Sequence, residues 1–367
     1  MKKLGKQTME FVNPPQFMSA ASIVGNKESK GPIGDYFDEV ISDGYNKQKT
    51  WDQAQIKMTS DLLDSLLDKA KLSKDDIDCL IAGDLLNQMV ASNFAVRDFP
   101  TPFLGVYGAC STMIEAVAIG GVMIDGGGVN QIIAFTSSHY QATERQYRTP
   151  NEYGDKYPPF KQRTVTGAGG VIMSNTQGGV QLREATLGKV VDLGVADPRD
   201  MGSAMAPAAA DTLLQHFEDT GRDPSYYDLI LTGDLGELGK KLTKELLEET
   251  GCHLGDNYDD CGVLIYNSKQ KVGAGGSGCG CSAVVLASYV LPQLMYGHLK
   301  RVLILGTGAL LNPTLSLQGE TIPSIAHAVT LESTGHLVEG IGRKKIQNKL
   351  ADKIEVAKIE ALNGNGG

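Results

Sequence analysis

Cys110 is the residue with the most chemical promise. It stands in Tyr107-Gly108-Ala109-Cys110-Ser111-Thr112, a turn of small residues leading into a nearly uncharged segment that ends near Ile124. A helix N-terminus carries unpaired N–H groups and about half a positive charge. A thiol placed there is expected to ionise more readily and to act as a nucleophile. The competing reading is a small buried hydrophobe, the common fate of a free cysteine. Two other clusters carry less. Gly275-Gly276-Ser277-Gly278 lacks a following Lys-Ser/Thr, so it does not read as a Walker-type phosphate loop. Cys279-Gly280-Cys281, with Cys252 and Cys261 upstream, lacks the CxxC spacing of a zinc site. No metal and no cofactor is expected.

The elements that position Cys110 come in two copies. Ser73–Leu85 (SKDDIDCLIAGDL) and Asp223–Leu235 (DPSYYDLILTGDL) are both a polar turn, an Asp, an apolar run and Gly-Asp-Leu, offset by 150 residues. Gly108–Ile124 and Gly280–Leu294 are two apolar segments, and each cysteine, Cys110 or Cys281, precedes a strand-like run by 22 residues. Those runs are Ile132–Phe135 and Leu303–Gly306. Features recurring in one order argue for a duplicated unit. Met58–Ala70 and Ala206–Thr220 carry apolar residues at helical spacing, so they read as amphipathic helices. Ser111–Ile124 and Ser282–Leu294 are apolar all round, so they read as helices buried on all sides between two sheets. Thr164–Ser174, Val180–Leu193 and Ile322–Glu332 read as further strands, antiparallel to the rest.

Composition bounds the function. The chain has 367 residues, 21% of them charged, with net charge −9, which argues against nucleic acid as a partner. No apolar run reaches the ~18 residues of a membrane span, and the two N-terminal lysines precede no apolar core of a signal peptide. Six scattered cysteines suit a reducing compartment rather than a disulfide scaffold.

Two similar α/β halves, each with a buried central helix and with a nucleophile-position Cys in the first, resemble the thiolase superfamily. The resemblance implies an α/β fold of five layers, αβαβα. Condensing enzymes of that superfamily also need a His after a strand and an Asn or second His in a Gly-rich turn. Here those positions fall in Leu231-Thr232-Gly233-Asp234-Leu235, with Gly233 at the histidine place, and in Gly275–Cys281, which has neither Asn nor His. The resemblance therefore implies a vestigial nucleophile and no catalysis. The alternative is an acyl-transferring or condensing enzyme that uses Cys110 with His139 or His327 as its base.

A closer resemblance rests on LIAGDLLNQ (80–88), GACST (108–112), TSSH (136–139), Glu144-Arg145-Gln146, MGSAMAPAAAD (201–211), LILTGDL (229–235), Asp260-Cys261-Gly262 and GGSG (275–278). These strings are similar to the stage V sporulation protein AD family, from residue 1 to about Glu332. That resemblance implies binding of dipicolinic acid (pyridine-2,6-dicarboxylate), with or without Ca²⁺, for uptake into the developing spore. It also implies a homodimer, other SpoVA proteins as partners and a peripheral place at the spore inner membrane. For such a ligand the expected contacts are Cys110 and Ser111 at the helix start, Ser138 and His139 at a strand end, and Gly278 in the Gly-rich turn. Arg145 supplies a fork for a carboxylate, with Arg148 and Arg163 in the same loop, and Met201 packs on the ring.

The organisation expected is a first half over 1–190, a second over 191–336 and a tail over 337–367. The tail carries Ile346, Leu350, Ile354 and Ala357 as one stripe among six basic residues, and reads as a docking helix or as a helix laid on the body.

Overall fold

The computed structural model describes residues 1–147, 158–176 and 178–341. The first half lays down β1 (Gln16–Gly25), β2 (Cys79–Asp84), β3 (Phe103–Gly105), β4 (Gln131–Ser138) and β5 (Gly167–Ser174), in the sheet order β3-β2-β4-β5-β1. β2 is parallel to β3 and β4, whereas β5 is antiparallel to β4 and β1. The second half repeats this with β6 (Val180–Thr186), β7 (Leu229–Thr232), β8 (Tyr258–Asp260), β9 (Arg301–Ala309) and β10 (Ser324–Ser333), ordered β8-β7-β9-β10-β6. β7 is parallel to β8 and β9, and β10 is antiparallel to β9 and β6. The sheets of the two halves join where Val180 faces Phe17 and Gln181 faces Gln16.

Five layers result. α1 (Trp51–Ala70) covers the outer face of the first sheet, packing on β1 and β5. α2 (Thr112–Asp125) lies between the sheets, against β2 and β4 on one side and β9 and β10 on the other. α4 (Met201–Thr220) and α5 (Gly236–Glu249) cover the second sheet. α6 (Cys279–Val285) shares the middle layer with α2. It presses on β5 where a Cβ at Gly169 would sit 2.3 Å from the Ala283 carbonyl carbon. α3 (Tyr140–Tyr147) follows β4. Burial follows this layering: α2 buries Met113, Ile114 and Val117, and α1 buries Leu62, Leu63 and Leu66.

Local rules set the ends. Thr50 caps α1 by accepting from Gln53 N at 3.2 Å. α4 begins five residues before the expected Ala206, because Asp200 caps it by accepting from Ser203 N at 3.2 Å. It stops at Gly221 in the left-handed region. The strand expected over Val180–Leu193 ends at Thr186, and only Val191 bridges onward, to Ser324. Gly188 leaves the ladder, giving its N–H to His327 Nδ1, and pairing with β10 resumes only at Val191. β6 itself comes from the 1–190 segment yet completes the second sheet. Gly340 bridges Ser19 and Ile341 enters the central core. Arg148 and the basic stretch of the tail from residue 342 lie outside the described residues.

Candidate functional site

Glycines seat the Cys110 turn. A Cβ at Gly308 would meet the Gly108 carbonyl oxygen at 2.2 Å, and one at Gly306 the Ser111 carbonyl oxygen at 2.7 Å. β9 therefore accepts the turn only with glycine at those places. Ala109, immediately before Cys110, is held at φ 51°, a left-handed conformation that costs a non-glycine residue about 1 kcal/mol.

Cys110 lines a small cavity together with Leu85, Tyr147, Met201, Ser277 and Leu311. The empty space is 360 Å³ with its open mouth included, and 30 Å³ of it admits the centre of a water, room for about two waters. Thr143 and Thr164 add hydroxyls to otherwise largely apolar walls. The Tyr147 hydroxyl meets that of the exposed Tyr107 at 2.8 Å.

Behind Cys110 lies Asp234, completely buried. Its Oδ1 accepts from Thr307 Oγ1 at 2.7 Å, and its Oδ2 from Gly278 N at 2.8 Å and Ser277 Oγ at 3.3 Å. Cys110 stands near the same carboxylate and near the Gly278 backbone, close enough for both to act on its thiol. Burial pushes Asp234 up to about 6, with the donors pulling the other way. Asp260 is buried close by. It accepts from Gly236 N and Gly262 N, both at 2.9 Å, and from Leu235 N and Thr232 Oγ1, both at 2.8 Å. Burial pushes it up to about 7, with the Asp234 charge adding to the shift.

The thiol does not behave as its place at a helix start suggests. Burial drives Cys110 well above its ordinary range, and the Asp234 charge adds to this. Loss of hydration penalises the thiolate, and the backbone N–H groups pull less strongly. No imidazole is bonded to it among the described residues. His139 Nε2 lies 2.8 Å from the Gly44 carbonyl, and burial holds the ring down to about 4. His327 Nδ1 accepts from Gly188 N at 3.2 Å and is likewise held down to about 4 by burial.

Of the residues expected at the site, Cys110 and Met201 line the cavity. Gly278, at φ 101°, supports it through Asp234. Ser111 Oγ turns back to the Gly108 carbonyl at 2.6 Å. Ser138 Oγ donates to the Val165 carbonyl at 2.7 Å and accepts from Gly280 N at 3.2 Å, tying β4 to the Gly-rich turn. His139 and Arg145 face another corner. Arg145 pairs with Asp52 at 2.7 Å and lies 5.6 Å over the Trp51 ring. Arg163 lies 3.5 Å over the Tyr140 ring. Sequence reasoning missed Asp234, although its Gly-Asp-Leu string stands out as half of a repeat. The other copy, Asp84, is also buried, and accepts from Leu86 N and from Ser92.

A family model for stage V sporulation protein AD (SpoVAD) matches residues 5–332. The chain belongs to the SpoVAD family. The stage V sporulation protein AD of Bacillus subtilis (strain 168) is 50% identical over 335 residues, covering 91% of this chain and 99% of that protein. By family, then, this SpoVAD chain is a sporulation protein. Solved structures give its fold. The 3-oxoacyl-[acyl-carrier-protein] synthase III of Aquifex aeolicus aligns with TM-score 0.54 at 12% identity, over 87% of this chain and 99% of that one. Human mitochondrial 3-ketoacyl-CoA thiolase in complex with CoA aligns with TM-score 0.54 at 12% identity, over 90% and 100%. Cerulenin-bound OleA of Xanthomonas campestris aligns with TM-score 0.56 at 14% identity, over 88% and 98%. The thiolase-like fold expected from the two halves is the one observed. Among the described residues of the SpoVAD chain, no helix is long and apolar enough to cross a membrane.

Proposed function

We propose that this chain binds dipicolinate, free or as its calcium chelate, in the cavity over Cys110, and performs no acyl transfer. The observation that carries the non-catalytic part is the neighbour of Cys110 among the described residues, a buried carboxylate and not an imidazole. A carboxylate beside a buried thiol holds the proton on sulfur, so the nucleophile an acyl transfer requires does not form. Support for a small flat ligand comes from the walls. Leu85, Met201 and Leu311 offer apolar surface, while the Thr143 hydroxyl, buried with no partner of its own, is available to a carboxylate oxygen. Room for about two waters is less than a pyridine dicarboxylate needs. Binding therefore requires side chains at the mouth, Tyr147 first, to move aside.

The wider role proposed is loading of the ligand into the developing spore, at the spore inner membrane, with other SpoVA proteins. A homodimer is part of the proposal. β3 is a sheet edge, and Leu104 on it is exposed beside the exposed Tyr107. An uncovered apolar edge invites a second strand.

Two measurements test the reading together. Equilibrium dialysis of dipicolinate, with and without Ca²⁺, is expected to give saturable binding near one per chain. Intact-protein mass after incubation with acyl-CoA is expected to be unchanged. A stable acyl adduct mapped to Cys110 would favour the condensing-enzyme alternative.

A further inference from the structure

The cavity stands over negative charge. Among the described residues, the donors to the Asp234 carboxylate are neutral, Thr307 from β9 with Ser277 and Gly278 from the Gly-rich turn, and the Cys110 thiol lies beside it. The other titratable groups around it are Cys261, Cys279, Cys281 and Asp260, all buried. Asp260 lies one turn away, on the N–H groups of Leu235 and Gly236 that directly follow Asp234. Asp84 faces Cys279 from β2. Among the described residues no Lys or Arg bonds Asp234 or Asp260; Lys240 pairs instead with Asp259, outside this cluster. Among the described residues, the charges directly beneath the cavity are therefore carboxylates, buried away from bulk solvent. There, like charges repel far more strongly than at a surface.

Resting on the reading above, we propose that Asp234 is the proton acceptor of this site, so that a dicarboxylate enters together with one proton. The proton goes to the Asp234 carboxylate, and one buried negative charge is removed as the ligand's charge arrives. Protonated Asp234 still has partners: it donates to Thr307 Oγ1 or accepts from it, and keeps the Gly278 N–H. The sign follows by linkage. Ligand that raises the proton affinity of Asp234 binds more tightly as pH falls, and loses affinity as pH rises past the point where free Asp234 ionises.

The experiment is calorimetric titration of dipicolinate into the full chain, at pH 6, 7 and 8, in buffers of different ionisation enthalpy. Uptake of about one proton per ligand is expected at pH 8, with affinity falling about tenfold from pH 7 to pH 8. Asp234→Asn is isosteric: its amide oxygen takes the Gly278 N–H and its amide nitrogen donates to Thr307 Oγ1. This variant is expected to bind with no proton uptake and with affinity flat in pH. Wild-type binding without uptake, or uptake retained in D234N, overturns the inference while leaving the dipicolinate reading intact. Absence of wild-type binding at all three pH values overturns both. If D234N does not fold, Thr307→Val stands in: it removes the Oδ1 donor that favours the Asp234 carboxylate, so uptake is expected to set in at higher pH, and an unshifted profile overturns the inference. Adding Ca²⁺ tests the same idea: a chelate that brings its own counter-charge is expected to bind with proton uptake reduced by at least half.

Discussion

Cys110 lies beside the carboxylate of Asp234, a residue 124 positions later and wholly buried, and the charge there keeps the proton on sulfur. One consequence concerns reactivity. Cys110 is expected to alkylate slowly at neutral pH although it lines a cavity, because the thiolate is scarce. Asp234→Asn removes the nearby charge without changing access, so it is expected to raise the Cys110 alkylation rate several-fold. Peptide mapping after timed iodoacetamide treatment reads this site apart from the other five cysteines. An unchanged rate would mean that Asp234 does not control the thiol.

The second sheet depends on a strand drawn from the first segment, and a buried ion pair helps to fasten it. Arg222, just after α4, holds Glu184 of β6 through two bonds of 2.8 and 3.0 Å, and the Glu184 side chain is 0% exposed. Removing one partner leaves a buried charge unpaired. Arg222→Ala is expected to lose about 3 kcal/mol of stability, read as a lower urea midpoint.

His216 makes part of the acid sensitivity. It lies between Thr186 Oγ1 at 2.7 Å and the Tyr227 hydroxyl at 2.6 Å, and burial holds it down to about 3. The unfolded ring protonates near the ordinary value of about 6.5. Between these values only the unfolded chain takes the proton, so stability is lost as pH falls from about 6.5 towards 3. His216→Gln is expected to be less stable than wild type at pH 7, and the gap is expected to narrow steadily by pH 4.5. Parallel urea titrations check it.

The exposed edge at β3 makes the dimer testable. Leu104→Asp places charge on the strand edge without touching the core, so the chain is expected to stay folded and to sediment as a monomer where wild type sediments as a dimer. Wild type that sediments as a monomer at micromolar concentration would remove the dimer from the account.

The duplicated frame is legible in the sequence because strand ends are written locally. The apolar runs before Gly83-Asp84 and Gly233-Asp234 form β2 and β7, which begin at equivalent places in the repeat. Cys110 and Met201 were within reach for the same reason, since each stands where its own element begins. Asp234 was not, because an acid after a strand ordinarily faces water. Its burial depends on Thr307 and Gly278, 73 and 44 residues further on. His139 and Arg145 carry suitable chemistry, but Gly44 and Asp52, more than 90 residues earlier, decide where they point. Side-chain direction at strand ends is a tertiary property, and no local pattern records it.

The most direct measurement is calorimetric titration of dipicolinate into wild type and Cys110→Ala, side by side. Saturable binding by wild type, weakened at least several-fold in the variant, is the result expected if the ligand lies over Cys110. No binding by wild type, or equal binding by both proteins, would contradict the proposed site.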